Sequence, residues 1–198
     1  MNPTTEMKIA FLRYSRAVLE SGVRNRRPTG VGERDDPVEP DELARDPWCQ
    51  KKRGLFVTLR KGGDLRGCIG HIEPRLPLLR AVAEITLKSA LDDYRFPPVT
   101  EDELPEIRIE ISILTEPRSV PGADDIRIGT DGVILSSGGR SAVFLPQVAA
   151  EQGWNLSQTL TALSRKAGLP PAEWRSDSAR FQTFQAVYFN EIELGLIP

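Results

Sequence analysis

Residues 107–113 read Ile107-Arg108-Ile109-Glu110-Ile111-Ser112-Ile113. The alternation is strict. Successive side chains of a β-strand point to opposite faces, so the isoleucines bury one face while Arg108, Glu110 and Ser112 share the other. Working outward, Leu55-Phe56-Val57-Thr58-Leu59 is rich in strand formers, and Gly62-Gly63 suits a tight hairpin turn. A second strand runs from Asp64 to Gly70. Pro74 and Pro77 then lead into an amphipathic helix over about 76–92, with Leu79, Val82, Ala83, Thr86 and Ala90 on one stripe.

On the N-terminal side, Met7, Ala10, Phe11, Tyr14 and Val18 recur at helical spacing and predict a helix over 6–21, with Gly22 as its stop. Residues 23–47 are poor in apolar side chains and read as a long surface loop. On the C-terminal side, strands are expected at 132–136 and 141–145 around Gly138-Gly139. Helices follow at 146–152 and 156–167, the second ending at Gly168, and a last strand lies near 180–193. Strand, Gly-Gly turn, strand, Leu-Pro and helix occur in that order twice, at 54–84 and at 132–151, which suggests an internal duplication. The class is α+β.

The chain has 198 residues, enough for one large domain or two closely packed halves, and 39% are hydrophobic, as a globular core requires. The formal net charge of −2 gives no global reason to bind nucleic acid or an anionic membrane. Arg24, Arg26 and Arg27 form a local basic cluster that could touch phosphate; a solvated loop is the plainer reading. Two cysteines, Cys49 and Cys68, do not make a disulfide scaffold. The first twenty residues hold Glu6, Lys8, Arg13, Arg16 and Glu20 and so contain no apolar signal core, and no run approaches a membrane span. A cytoplasmic protein without a membrane partner is expected.

Leu65-Arg66-Gly67-Cys68-Ile69-Gly70 is the most function-like stretch. Strand parity puts Leu65, Gly67 and Ile69 on the core face, and Arg66 and Cys68 on the other. A guanidinium beside a thiol favours the thiolate, which could act as a nucleophile. Gly67 and Gly70 leave room for close approach of backbone or ligand. Packing as a small hydrophobe is the structural alternative for Cys68. His71 is the only histidine, and parity points it away from Cys68 unless the chain turns at Gly70. Cys68-x-x-His71 supplies two metal ligands at most, so no metal is expected. There is no phosphate-binding loop and no Gly-x-Ser-x-Gly elbow, and no cofactor is expected. Glu110 could join Cys68 if its strand shares the sheet, pairing with Arg66 or moving protons. Arg95-Phe96-Pro97-Pro98 is a compact turn that could line a groove.

The hexapeptide Leu65–Gly70 resembles the signature of the AMMECR domain family, named after a human chromosomal region linked with Alport syndrome, midface hypoplasia and elliptocytosis. Arg95-Phe96-Pro97-Pro98, Ile109-Glu110-Ile111-Ser112-Ile113-Leu114 and Lys166-Ala167-Gly168-Leu169-Pro170 with Trp174 agree in order, so the likeness covers about 6–194. It implies a single domain of two packed sheet-and-helix halves with a cleft between them, and Arg66 to Gly70 as the functional segment. His71 and the 23–47 loop are not part of the pattern. The resemblance also implies a modification pathway shared with a Memo-like protein and a radical S-adenosylmethionine enzyme, as partners rather than as a chemical step.

Three functions follow. The first is an accessory protein whose site, formed by Leu65, Arg66, Gly67, Cys68, Ile69 and Gly70 with Arg95 and Glu110, binds a small anionic ligand or a partner segment. The second is an enzyme with Cys68 as catalytic nucleophile. The third is nucleic-acid binding through Arg24, Arg26 and Arg27.

Overall fold

A computed structural model describes residues 3–25, 40–73 and 75–197. Arg26, Arg27 and most of the 23–47 stretch lie outside the described residues. Helix α1 spans Thr5–Arg24, capped by the Thr4 hydroxyl, which accepts from the Met7 N–H; a short α2 spans Asp41–Ala44. Strands β1 (Leu55–Lys61) and β2 (Asp64–His71) form the expected hairpin, followed by α3 (Leu78–Leu91) and β3 (Ile107–Leu114). Next come β4 (Arg118–Val120), β5 (Gly132–Ser137), β6 (Arg140–Phe144), α4 (Pro146–Glu151) and α5 (Leu156–Lys166). The chain ends in β7 (Arg180–Phe184) and β8 (Ala186–Asn190).

Two four-stranded sheets result, ordered β2-β1-β3-β8 and β4-β7-β5-β6. The chain divides into two compact units: residues up to Ile113 with those from Val187 onward, and Leu114–Ala186. In the first unit Leu55, Val57 and Leu59 of β1 and Ile107, Ile109, Ile111 and Ile113 of β3 are buried on one face, in a core shared with Phe11, Leu12 and Leu19 of α1 and Leu78, Leu79 and Val82 of α3. In the second, Val133, Leu135, Leu160, Leu163 and Phe181 form the core. In each sheet a Gly-Gly hairpin sits at one side, its first strand pairing again with a later strand, β3 or β7. No helix of the described residues is long and apolar enough to cross a membrane.

Three expectations need correction. Gly22 does not stop α1: the helix runs through it, because a Cβ there would lie 2.1 Å from a methyl of Leu87, and only hydrogen allows α1 and α3 to touch at this point. The 23–47 stretch is not all surface loop, since Val23 and Leu43 are buried in the first core. The strand expected over 180–193 is two strands. β7 ends at Phe184 in one sheet, and β8 begins at Ala186 in the other.

Candidate functional site

Strand β2 is the edge of the first sheet, and an edge strand leaves backbone groups in need of partners. Here the end of α3 and the turn after it supply them. The Cys68 N–H donates to Asp93 Oδ2 at 2.8 Å, and the Cys68 carbonyl accepts from Arg95 Nη2 at 3.0 Å. The Ser89 hydroxyl accepts from the Ile69 N–H at 3.0 Å and donates to the Val57 carbonyl at 2.9 Å, bridging β2 and β1. Asp93 is in turn clamped by Arg95, whose Nε and Nη2 donate to its two carboxyl oxygens at 2.9 and 2.7 Å. Arg95 Nη1 has no partner among the described residues, and the side chain remains 42% exposed.

The two glycines of the hexapeptide serve this packing. A Cβ on Gly67 would fall 2.1 Å from the Ser89 carbonyl oxygen, and one on Gly70 would fall 2.3 Å from the Phe56 ring. The close approach inferred for Gly67 is therefore to the α3 backbone.

Strand pairing aligns Cys68 with Thr58 of β1, and Thr58 with Glu110 of β3. The three lie in a row on the face away from the isoleucine core. The Thr58 hydroxyl donates to Cys68 Sγ at 3.3 Å. Glu110 accepts from Arg60 Nε at 2.8 Å. Tyr188 of β8 borders Glu110, and burial, followed by that carboxylate, pushes its phenol up to about 12 against the lowering effect of Asn190.

The row includes Cys68 and Glu110 but not Arg66. The register between β1 and β2 shifts at Leu59/Arg60, so Gly67 faces Leu59 while Leu65 faces Arg60. This bulge adds a residue and reverses the parity before it. Leu65, expected on the core face, is 37% exposed. Arg66, expected beside the thiol, instead makes a two-pronged pair with Glu103, Nε at 2.9 Å and Nη2 at 2.8 Å. The cation that meets Glu110 is Arg60, and the one that reaches the Cys68 backbone is Arg95. Gly67 and Ile69 keep the core-facing positions. His71 pairs with Leu55 on the face opposite Cys68. Its Nδ1 is buried with no partner among the described residues, and burial, then Arg75, lowers its pKa.

Sequence reasoning passed over Thr58, Arg60, Ser89, Asp93, Glu103 and Tyr188. Thr58 was within reach, because a hairpin turning at Gly62-Gly63 sets it across from Cys68. Nothing local marks Glu103 or Tyr188, which arrive from distant parts of the chain.

Two carboxyls at this corner are strongly acidic. The Arg66 pair holds Glu103 at about 2, helped by the Thr100 N–H and Lys61 against burial. The Arg95 clamp holds Asp93 at about 2, helped by the N–H groups of Cys68 and Arg95 against burial. Both values are depressed, so their stabilisation is complete above the unfolded-chain values of 3.8 and 4.5 and is lost as pH falls toward 2. Each pair is of order 2 kcal/mol. Urea unfolding should show stability dropping over this acid range, and Glu103→Gln or Asp93→Asn should each flatten the drop. Parallel curves for parent and variants would remove the two pairs as its cause.

This geometry defines an α+β protein with a clamped edge strand and a polar row that begins at Cys68 and runs through Thr58 to Glu110. The sequence profile of the AMMECR1 family matches residues 12–189, and the chain belongs to that family. A protein of Methanothermobacter thermautotrophicus is 45% identical over 158 residues, covering 77% of this chain and 81% of its own length. Protein MJ0810 of Methanocaldococcus jannaschii is 37% identical over 200 residues, covering 96% and 92%. The crystal structure of the uncharacterized protein PH0010 from Pyrococcus horikoshii superimposes with a TM-score of 0.77 at 33% identity, covering 91% of this chain and 89% of that one.

Proposed function

We propose that this chain is a binding component whose Cys68 corner receives an anionic group, a carboxylate or phosphate, carried by a small ligand or by a partner protein. The observation that carries this reading is the state of Arg95. Its guanidinium is held in place by Asp93 and by the Cys68 carbonyl, yet Nη1 is uncommitted and the side chain is 42% exposed. A preorganised guanidinium loses little freedom on binding an oxyanion and can bind it through two N–H groups. Arg66 and Arg60 are already matched by Glu103 and Glu110, which makes them supports of the corner.

The thiol of Cys68 reports on this directly. Cys49 is fully buried, and burial, then Asp46, pushes its thiol up to about 11, so in the folded protein Cys68 is the thiol that alkylates. Anionic iodoacetate and neutral iodoacetamide should then react with Cys68 in a ratio several-fold higher than with free cysteine. Arg95→Gln should return the ratio to the free value. A ratio that ignores Arg95 would sink the proposal.

A Memo-like protein or a radical S-adenosylmethionine enzyme, the partners suggested by the resemblance, is the first candidate to carry the anionic group. Binding to either that weakens in Arg95→Gln identifies a protein source. Protection of Cys68 by free phosphate or acetate alone identifies a small ligand.

A further inference from the structure

Four side-chain oxygens meet in the second unit. Ser137 closes β5, while Glu173, Ser176 and Ser178 lie in the connection between α5 and β7. That connection is fastened by its own backbone: the Ser176 N–H donates to the Glu173 carbonyl at 2.9 Å, and the Ala179 N–H to the Ser176 carbonyl at 3.1 Å. Glu173 Oε1 accepts from all three hydroxyls, from Ser137 at 2.6 Å, from Ser176 at 2.9 Å and from Ser178 at 2.9 Å. Ser178 Oγ also lies 2.9 Å from Ser137 Oγ and 2.8 Å from Ser176 Oγ.

The cluster is short of protons and of positive charge. Five contacts share three hydroxyl protons, so at least two pairs of oxygens touch with no hydrogen of their own between them. The carboxyl does not supply a fourth. The hydroxyls of Ser137, then Ser178 and Ser176, outweigh burial and hold its pKa below the usual carboxylate value. Glu173 makes no ion pair among the described residues, and the arginines nearest to it in sequence are turned elsewhere. Arg175 lies over the Trp174 ring at 3.8 Å and donates to Ser157 Oγ at 3.4 Å. Arg180 donates to the Asp177 and Ala179 carbonyls at 2.7 and 2.9 Å. Ser137 is 5% exposed and forms the floor of the cluster. Glu173 and Ser176 are half-buried and Ser178 is exposed, so the cluster opens to solvent on their side.

We infer that this cluster binds a primary ammonium group. Glu173 Oε1, Ser176 Oγ and Ser178 Oγ form a triangle of acceptors with sides of 2.9, 2.9 and 2.8 Å. An ammonium group carries three N–H donors and no acceptor, so it caps such a triangle and brings the protons the cluster lacks. Its one positive charge equals that of the carboxylate, and the bond between them is charge-assisted. A divalent metal ion would leave one charge unmatched, since Glu173 is the single carboxylate in contact with the three serines. The ammonium group belongs to a free small amine or to a lysine side chain of another protein.

The test follows the backbone amide resonances of the isotope-labelled whole chain. Methylammonium should shift the amides of Ser137 and of 173–178 to saturation. Tetramethylammonium has the same charge but no N–H donor and should bind about tenfold more weakly. Glu173→Gln keeps the shape and removes the charge. It should weaken methylammonium binding about tenfold or more, with amides outside the cluster unmoved as proof that the fold is intact. Ser178→Ala, at the exposed corner, should weaken it several-fold. No saturable shift, equal binding of the two ammonium ions, tighter binding of magnesium or potassium at the same amides, or an affinity indifferent to Glu173→Gln would overturn the inference. Two further probes separate the sources. Acetyl-lysine amide binding more tightly than butylamine assigns the group to a lysine side chain, and the reverse order assigns it to a free amine.

Discussion

Gly67→Ala is expected to destabilise the protein by about 3 kcal/mol, the upper end of what overpacking costs. Gly67 stands opposite Leu59 on the core face of the edge strand, and the added methyl would sit 2.1 Å from the Ser89 carbonyl oxygen. A flexible side chain could yield; a helix backbone yields only by moving α3. Lifting α3 would break the Ser89 bridge between Ile69 and Val57, and lifting its end would break the Asp93 bond to Cys68. The cost therefore includes hydrogen bonds as well as contact. Urea unfolding measures it. Gly122→Ala is the control, because nothing lies within 4 Å of a Cβ there and its φ of −160° suits any residue; it should stay within about 0.5 kcal/mol of the parent. If Gly67→Ala matches that control, the edge strand is not packed as described.

Arg16→Met should cost about 3–5 kcal/mol, the range for stranding one member of a buried ion pair. Glu191 would keep its Ile109 N–H but lose both bonds from the guanidinium at a site where its side chain is 3% exposed. The Leu104 and Ile107 carbonyls would also lose a donor. Arg16→Met with Glu191→Leu should recover much of the loss, since a buried pair replaced by apolar groups is often close to neutral. Recovery should stop about 1 kcal/mol short, because the Ile109 N–H is then left unpaired. A double variant no more stable than Arg16→Met would show that the pair does not act as a unit.

The two substitutions bear on different parts of the molecule. Gly67→Ala tests why the hexapeptide needs its glycines, and Arg16→Met tests what holds α1 to β3 and the 191–197 segment. Gly67→Ala also loosens the Asp93 anchor of Arg95, so the alkylation experiment is made without it.

Local pattern carried much of the architecture. The alternation of 107–113, the Gly-Gly hairpins and the helical stripes of α1 and α3 could be read from residue order, because each depends on neighbours within a few positions. Cys68 on a polar strand face and His71 on the other side follow from the period of two, whereas Glu110 joins Cys68 only because β3 pairs with β1. Pairing between strands distant in sequence decided the rest. A single bulged residue reversed Leu65 and Arg66, moving Arg66 from the thiol to Glu103 and leaving Arg60 to meet Glu110. The division of 180–193 between two sheets, the passage of α1 through Gly22 and the anchoring of Arg95 on the Cys68 carbonyl were likewise set by which backbone came to lie alongside. Periodicity states which side chains share a face, but a face acquires its chemistry from neighbours in space, and those are chosen by register and packing over the whole unit.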